Sequence, residues 1–148
     1  MSFHMSVTVS AGGLYVKDTG TPKGRGVFAA RDFNEGELVE ECPVIVMDMA
    51  FIFLPNEIKV MTFHWEIDSP HACALALGYG SLYNHDNPAS LRYEKDLQNG
   101  IIRFMARRPI CKDEELTINY NSQQGVSDSN EWFEGHKVAP ILSQPPRG

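Results

Sequence analysis

The sequence contains little cysteine: three residues in 148, with no CxxC pair among them. An odd number of widely separated cysteines supports neither a disulfide framework nor a zinc cluster. A reducing compartment is the simpler expectation, so we predict a cytoplasmic protein, with the nucleus as the alternative in a eukaryote. Cys42, Cys73 and Cys111 have apolar neighbours, which predicts that each is a small core residue.

The sequence also lacks a long apolar run, an excess of basic residues and histidines at metal-ligand spacing. No stretch approaches the roughly 20 apolar residues of a membrane-spanning helix, and Met1 to Met5 show no secretory pattern. We therefore expect no membrane association. A net charge of −6 disfavours direct nucleic-acid binding and fits a basic protein partner. The five histidines share no element with suitably spaced carboxylates, so no metal site is predicted.

Short strands separated by turn residues predict a single, mostly β domain. Pro43 predicts an edge or a bend between two of the strands, and Asn99-Gly100 predicts a hairpin turn. The spacing of Ile58, Met61 and Trp65 predicts a short helix over residues 56–67. The predicted strands cover residues 7–16, 27–30, 38–40, 42–47, 73–77, 91–93, 101–106 and 116–120.

Three separate stretches could carry chemistry. Gly24-Arg25-Gly26 lets backbone amides approach a ligand closely, although such a pair of glycines alone is most often a turn. Asn84-His85 ends an apolar segment just before the turn residues Asp-Asn-Pro, where a plain polar loop is the simpler alternative. A strand ending at Tyr120 delivers a tyrosine to a loop, which by itself favours an interfacial aromatic residue.

Taken together and in this order, the three stretches resemble the SET-domain protein lysine methyltransferases. The matching blocks are GRGVFAARDFNEGELVEECPVI, YGSLYNHDNPAS and ICKDEELTINY. The resemblance implies a mostly β, SET-domain (β-clip-like) fold of short curled sheets, with a knot-like crossing and one or two short helices. It divides the chain into an N-terminal leader (1–13), a SET domain (14–121) and a C-terminal flap and tail (122–148).

The resemblance implies S-adenosylmethionine as the cofactor and a protein lysine as the methyl acceptor, in a histone or another basic protein. Tyr120 would be the catalytic residue at the methyl-transfer point, and His85 would contact adenine mainly through its backbone. The implied cofactor contacts are Gly24, Arg25, Gly26, Asn84, His85, Tyr120 and Trp132. The implied walls of the lysine channel are Tyr93, Tyr79 and Phe133.

The chain departs from the family pattern after His85, where Asp86 to Ala89 replace the usual Ser and Pro-Asn pair. The second Asn of that pattern normally ties the crossing together. The departure motivates an alternative hypothesis, a catalytically inactive SET-like module that binds a peptide or protein partner. For Trp132 and Phe133, docking of the tail onto the core is an equally good interpretation.

Overall fold

The computed structural model describes residues 8–49, 53–66 and 71–129. In that part of the chain, short strands dominate, with one short α-helix, α1 (Asn56–Lys59), and a 3-10 turn at Gly80–Leu82. The strands are β1 (Val9–Ala11), β2 (Leu14–Asp18), β3 (Arg25–Ala29), β4 (Leu38–Met47), β5 (Thr62–His64), β6 (Cys73–Ala76), β7 (Asn84–His85), β8 (Leu91–Asp96), β9 (Ile101–Ala106) and β10 (Glu115–Ile118).

The first sheet has the order β1-β2-β3-β10-β7. Its pairs are antiparallel apart from β10 and β7, which run parallel, with Thr117 opposite Asn84 and Ile118 opposite His85. On its other side β10 pairs with β3, so that Glu115 lies opposite Phe28. Strand β10 therefore brings together β3 and β7, two segments that are distant in sequence: Arg25 and Asn84 are 59 residues apart.

The second sheet has the order β5-β6-β4-β9-β8, with β4 as its long central strand. The first half of β4 pairs with β9 up to Pro43 opposite Ile101, and the second half pairs with β6 from Val44 opposite Ala76. The prediction of two strands broken at Pro43 is therefore wrong. Proline lacks an N–H but keeps its carbonyl, which accepts from the Leu77 amide at 2.9 Å, so the strand continues.

The predicted helix over residues 56–67 is also wrong beyond Lys59. Residues 62–64 form β5, which pairs with β6, and Trp65 continues that ladder by donating its backbone N–H to Ala72 at 3.0 Å. Phe63 and Trp65 are both buried, two residues apart, as expected for one face of a strand. The segment from Ile58 to Trp65 carries two patterns: apolar residues spaced by three and four, as in a helix, and the two-residue spacing of a strand. The burial of Phe63 and Trp65 shows that the strand pattern is the one that forms.

The hairpin predicted at Asn99-Gly100 is confirmed, because Gly100 has φ +65° between β8 and β9. The hydrophobic core lies between the two sheets and includes Phe104, whose ring contacts Phe63, Tyr83 and Tyr93. Cys42 and Cys73 are buried as predicted, but Cys111 is exposed. In the described residues no helix is long and apolar enough to cross a membrane.

The chain after β10 crosses the segment that follows β7. Backbone hydrogen bonds run from the amide of Ala89 to Gly125 O (2.8 Å) and from that of Tyr93 to Gln123 O (2.9 Å). Asn87 adds a side-chain bond, donating from Nδ2 to Ser127 O at 2.7 Å, and it precedes a cis peptide bond to Pro88. The altered sequence after His85 is thus compatible with the crossing, and here Asn87 itself ties the two segments together.

Candidate active site

Strand β10 brings the glycine turn and the Asn-His segment together. Because β10 lies between β3 and β7, Asn84 faces the start of β3. Its Nδ2 donates to Arg25 O at 2.9 Å and to Glu115 Oε2 at 2.8 Å. We call this group of residues, Arg25, Gly26, Asn84 and Glu115, the Asn84 site. It combines a backbone carbonyl, an amide and a carboxylate around one point, a set of groups that binds a primary ammonium well.

Gly26 has no room for a side chain. An ideal Cβ there would lie 2.6 Å from Glu115 Oε2, 2.9 Å from Thr19 Cγ2 and 3.0 Å from Asn84 Nδ2. The bare backbone of Gly26 is what allows the polar groups of the Asn84 site to come this close. The preceding Gly24 has φ +75°, which an L side chain rarely adopts, and so it makes the turn into β3.

His85 is buried behind the Asn84 site and is neutral. Its Nδ1 accepts from the backbone N–H of Tyr120 at 3.0 Å, which places the ring proton on Nε2. Burial lowers the pKa of His85 to about 4, with Lys23 acting in the same direction and Asp86 opposing it. The backbone carbonyl of His85, the group expected to face adenine, accepts from Lys23 Nζ at 2.9 Å.

The low pKa of His85 predicts a pH-dependent stability. An unfolded histidine titrates near 6.5, so between that pH and about 4 the unfolded chain binds a proton that folded His85 refuses. Stability is therefore complete above pH 6.5 and falls as the pH drops, by about 1–2 kcal/mol once solvent screening is allowed for. Urea unfolding between pH 7.5 and 5 measures the slope, which His85→Gln should flatten.

The matched control for this experiment is His64→Gln. The side chain of His64 is 59% exposed, so its removal should leave the pH slope as it is in the wild-type protein. An equal slope in the wild-type protein and in His85→Gln would contradict the assignment of a neutral, buried imidazole.

Tyr120 also lines a cavity of about 250 Å³. Tyr93 and Tyr120 both line it, as does Tyr83, whose carbonyl accepts from the Tyr120 hydroxyl at 3.0 Å. We call it the Tyr120 cavity. Its remaining walls come mainly from β5 and from the residues after β10, namely Val60, Met61, Thr62, Phe63, His64, Gly80, Ser81, Lys95, Ile118, Asn121, Ser122 and Gln123.

Burial keeps the tyrosines of the cavity protonated. It raises the pKa of Tyr93 to about 12, and it raises that of Tyr120 as well, where the charge of Glu115 adds to the effect. The pKa of Tyr83 is also raised, because the ring is buried and the hydroxyl donates to Glu40 Oε1 at 2.7 Å. The three hydroxyls are therefore hydrogen-bond donors rather than bases at neutral pH.

The Asn84 site and the Tyr120 cavity meet at one pair of residues. The His85 and Tyr120 rings lie 5.2 Å apart, and the Tyr120 amide donates to His85 Nδ1. Tyr120 thus faces the cavity while its backbone is fixed to the segment that carries Asn84. Tyr120 is therefore the residue through which the segment that carries Asn84 is connected to the cavity.

The structure brings together most of the residues that the sequence predicted for the site. Gly24, Arg25, Gly26, Asn84, His85 and Tyr120 cluster around β10, and Tyr93 lines the Tyr120 cavity. Tyr79 does not line that cavity; its backbone N–H donates to Glu40 Oε2 at 2.9 Å. Trp132 and Phe133 lie outside the described residues. Their assignments, and the cofactor contacts, stay predictions.

Sequence reasoning overlooked Glu115, Tyr83 and Lys23, which all touch this site. Glu115 and Tyr83 lie within the sequence blocks that resemble the family. The signal that could have found them is that a buried Tyr or a partly buried Glu needs a polar partner. Their partners, Asn84 and Glu40, are distant in sequence. In the described part of the chain no three His, Cys, Asp or Glu side chains are arranged to hold a metal ion.

A family model described as the SET domain matches residues 24–121, which include the whole Asn84 site and all of the Tyr120 cavity lining except Ser122 and Gln123. The chain belongs to the SET-domain family. It is 31% identical over 130 residues to a Schizosaccharomyces pombe histone-lysine N-methyltransferase specific for histone H3 lysine 37, covering 88% of this chain and 83% of that protein.

Solved SET-domain structures have the same fold. A candidate histone methyltransferase from Plasmodium falciparum matches with a TM-score of 0.60 at 24% identity, over 75% of this chain and 95% of that one. The Chaetomium thermophilum polycomb repressive complex 2 matches with a TM-score of 0.58 at 20% identity, over 75% of this chain and 15% of the other. At these identities the likeness establishes the fold.

The family and its curated relative confirm the predicted enzyme class, a protein-lysine N-methyltransferase. The alternative of an inactive binding module is not favoured, because the relative that covers most of the chain is an enzyme of that class. Members of this family use S-adenosylmethionine as the methyl donor. The fold class predicted from the sequence is confirmed as well.

Proposed function

We propose that this chain binds S-adenosylmethionine at the Asn84 site and transfers its methyl group to a lysine of histone H3 that enters the Tyr120 cavity. The observation that carries the proposal is the junction at Tyr120. Its backbone is bonded to His85 beside the Asn84 site, and its ring lines the cavity. One residue thus borders both compartments, as a transfer between two bound molecules requires.

The residues present fit the cofactor. Gly26 lets Asn84 and Glu115 approach its backbone closely, and these two residues supply polar groups for an amino-acid moiety. When bound, the cofactor supplies a sulfonium methyl group that an amine can attack in line without a metal ion. The contribution of this chain is to align the amine and to exclude water, which can account for much of the acceleration.

The cavity favours the neutral form of the acceptor lysine. A lysine ammonium has a reference pKa of about 10.4, and aromatic walls lower it by disfavouring the charge. The Tyr120 hydroxyl already donates to Tyr83 O, so it orients groups at the end of the cavity and does not remove a proton. The carbonyl of Tyr83 lies at the same point and offers an acceptor to a neutral amine.

Three observations support a basic substrate such as histone H3. The chain carries a net charge of −6, which attracts a basic tail over distances of about a Debye length. Glu66 is bonded to the cavity-lining Lys95 at 2.9 Å and remains 48% exposed, so it can meet a cation beside the target lysine. The Schizosaccharomyces pombe relative acts on histone H3.

The test is incubation of the purified chain with tritium-labelled S-adenosylmethionine and a panel of proteins. We expect label on histone H3, removed when its lysines are replaced by arginine, and little on acidic proteins of similar size. Mass spectrometry of labelled H3 peptides identifies the lysine. Cofactor binding without transfer to H3 would refute the proposed substrate, and transfer to a different basic protein would replace it.

A further inference from the structure

Glu115 is a partly buried carboxylate of the Asn84 site, to which the proposed function assigns no specific group of the cofactor. Its Oε2 accepts from Asn84 Nδ2 at 2.8 Å, and it lies against the backbone of Gly26. Burial raises the pKa of Glu115, while Asn84 and Lys23 oppose this and Asp86 adds to it. A negative charge held in such a place is stabilised by an arriving cation.

The two donors of the Asn84 amide mark where a cation would lie. They point to Arg25 O at 2.9 Å and to Glu115 Oε2 at 2.8 Å. The NH2 group therefore occupies a position that a ligand group with several N–H donors could take. A primary ammonium has three such donors and needs three acceptors. An ammonium that replaces the Asn84 NH2 group at this point meets the same two acceptors, Arg25 O and Glu115 Oε2, and the displaced Asn84 side chain can offer Oδ1 as the third.

We propose that Glu115 is a further cofactor-binding residue, whose carboxylate pairs with the α-ammonium of the methionine moiety of S-adenosylmethionine. This inference rests on the proposed function, because it assigns a specific partner to one group of that cofactor. Glu115 then supplies the charged member of the ammonium site, and Asn84 and the Arg25 carbonyl supply the neutral members. Charge-assisted hydrogen bonds are the stronger kind, so Glu115 would contribute much of the selectivity for an amino acid headgroup.

The experiment compares two ligands by isothermal titration calorimetry with the whole chain. The first is S-adenosylhomocysteine; the second is its deaminated analogue, 5′-S-(3-carboxypropyl)-5′-thioadenosine, which lacks only the α-amino group. The wild-type protein should prefer S-adenosylhomocysteine. Glu115→Gln should reduce its affinity by about tenfold and leave that of the analogue unchanged, as expected for one charge-assisted hydrogen bond. Equal weakening of both ligands would overturn the proposal.

Two further variants make the comparison specific. Glu94→Gln removes the same charge from an exposed position on β8 and should leave both affinities as in the wild-type protein. Glu115→Asp keeps the charge with a shorter reach, and we expect an intermediate preference for S-adenosylhomocysteine. The proposal would be overturned if Glu115→Asp preferred S-adenosylhomocysteine as weakly as Glu115→Gln does and also bound the analogue more weakly than the wild-type protein. Such a result would indicate that Glu115 has a structural role.

The wild-type protein provides a second measurement that needs no variant. Burial raises the pKa of Glu115, so as the pH is lowered from 7.5 its carboxylate takes up a proton earlier than an exposed glutamate does, and the preference for S-adenosylhomocysteine over the analogue should shrink. Lys23 and Asp86 also act on the Glu115 carboxylate. A preference that does not change with pH would count against Glu115. Failure of both ligands to bind would reject the proposed function as well, whereas binding without this selectivity rejects only the role of Glu115.

Discussion

Replacing Tyr120 by Phe should lower kcat by about 100-fold while cofactor affinity changes little, which is the size expected when reacting groups lose their alignment. The substitution removes one hydroxyl and leaves the ring. That hydroxyl donates to Tyr83 O at 3.0 Å at the end of the Tyr120 cavity. Without it, the Tyr83 carbonyl loses its donor, and the ring is no longer held at the junction of the two compartments.

The measurement is steady-state methylation of histone H3 together with calorimetric titration of S-adenosylhomocysteine. Tyr15→Phe is the matched control, since its hydroxyl also donates to a protein oxygen, Asp113 Oδ1 at 2.8 Å, but Tyr15 does not line the cavity. The control should keep wild-type kcat. If Tyr120→Phe kept it too, the Tyr120 hydroxyl would have no part in aligning the amine.

The clustering of the candidate residues could be predicted in large part, because these residues lie in short local patterns. A turn with two glycines, an Asn-His pair before Asp-Asn-Pro and a strand ending in Tyr are each visible within a dozen residues. The hairpin at Asn99-Gly100 was equally local, since a left-handed residue is required there. In these places chain geometry and side-chain chemistry are determined by neighbours in sequence.

The parts that could not be predicted depend on contacts between distant segments. Glu115 meets Asn84 only because β7 runs parallel to β10, and no local pattern specifies a parallel neighbour. Tyr83 and Glu40 are 43 residues apart, and their 2.7 Å bond follows from the packing of two sheets. Residues 56–67 carry both helical and alternating spacings, so only the pairing of β5 with β6 decides between them.

Replacing Gly26 by Ala should weaken S-adenosylhomocysteine binding by about 100-fold and destabilise the fold by only about 1–2 kcal/mol, as small overpacking does. The added Cβ would lie 2.6 Å from Glu115 Oε2 and 3.0 Å from Asn84 Nδ2, so both side chains must move. Glu115 can yield because its carboxylate is the far end of a flexible side chain. This movement, however, breaks the hydrogen bond between Asn84 Nδ2 and Glu115 Oε2, so the groups of the Asn84 site no longer lie together.

Gly100→Ala is the control, since it adds the same methyl group to a glycine that lies outside the Asn84 site. At Gly100 a Cβ meets nothing within 4 Å, but φ is +65°, so the substitution strains the backbone without touching the Asn84 site. We expect it to lower stability by about 1 kcal/mol and to leave cofactor affinity intact. The two variants thus separate crowding at the site from general loss of stability. Near-wild-type binding by Gly26→Ala would show that cofactor binding does not depend on the close approach of Glu115 and Asn84 to Gly26.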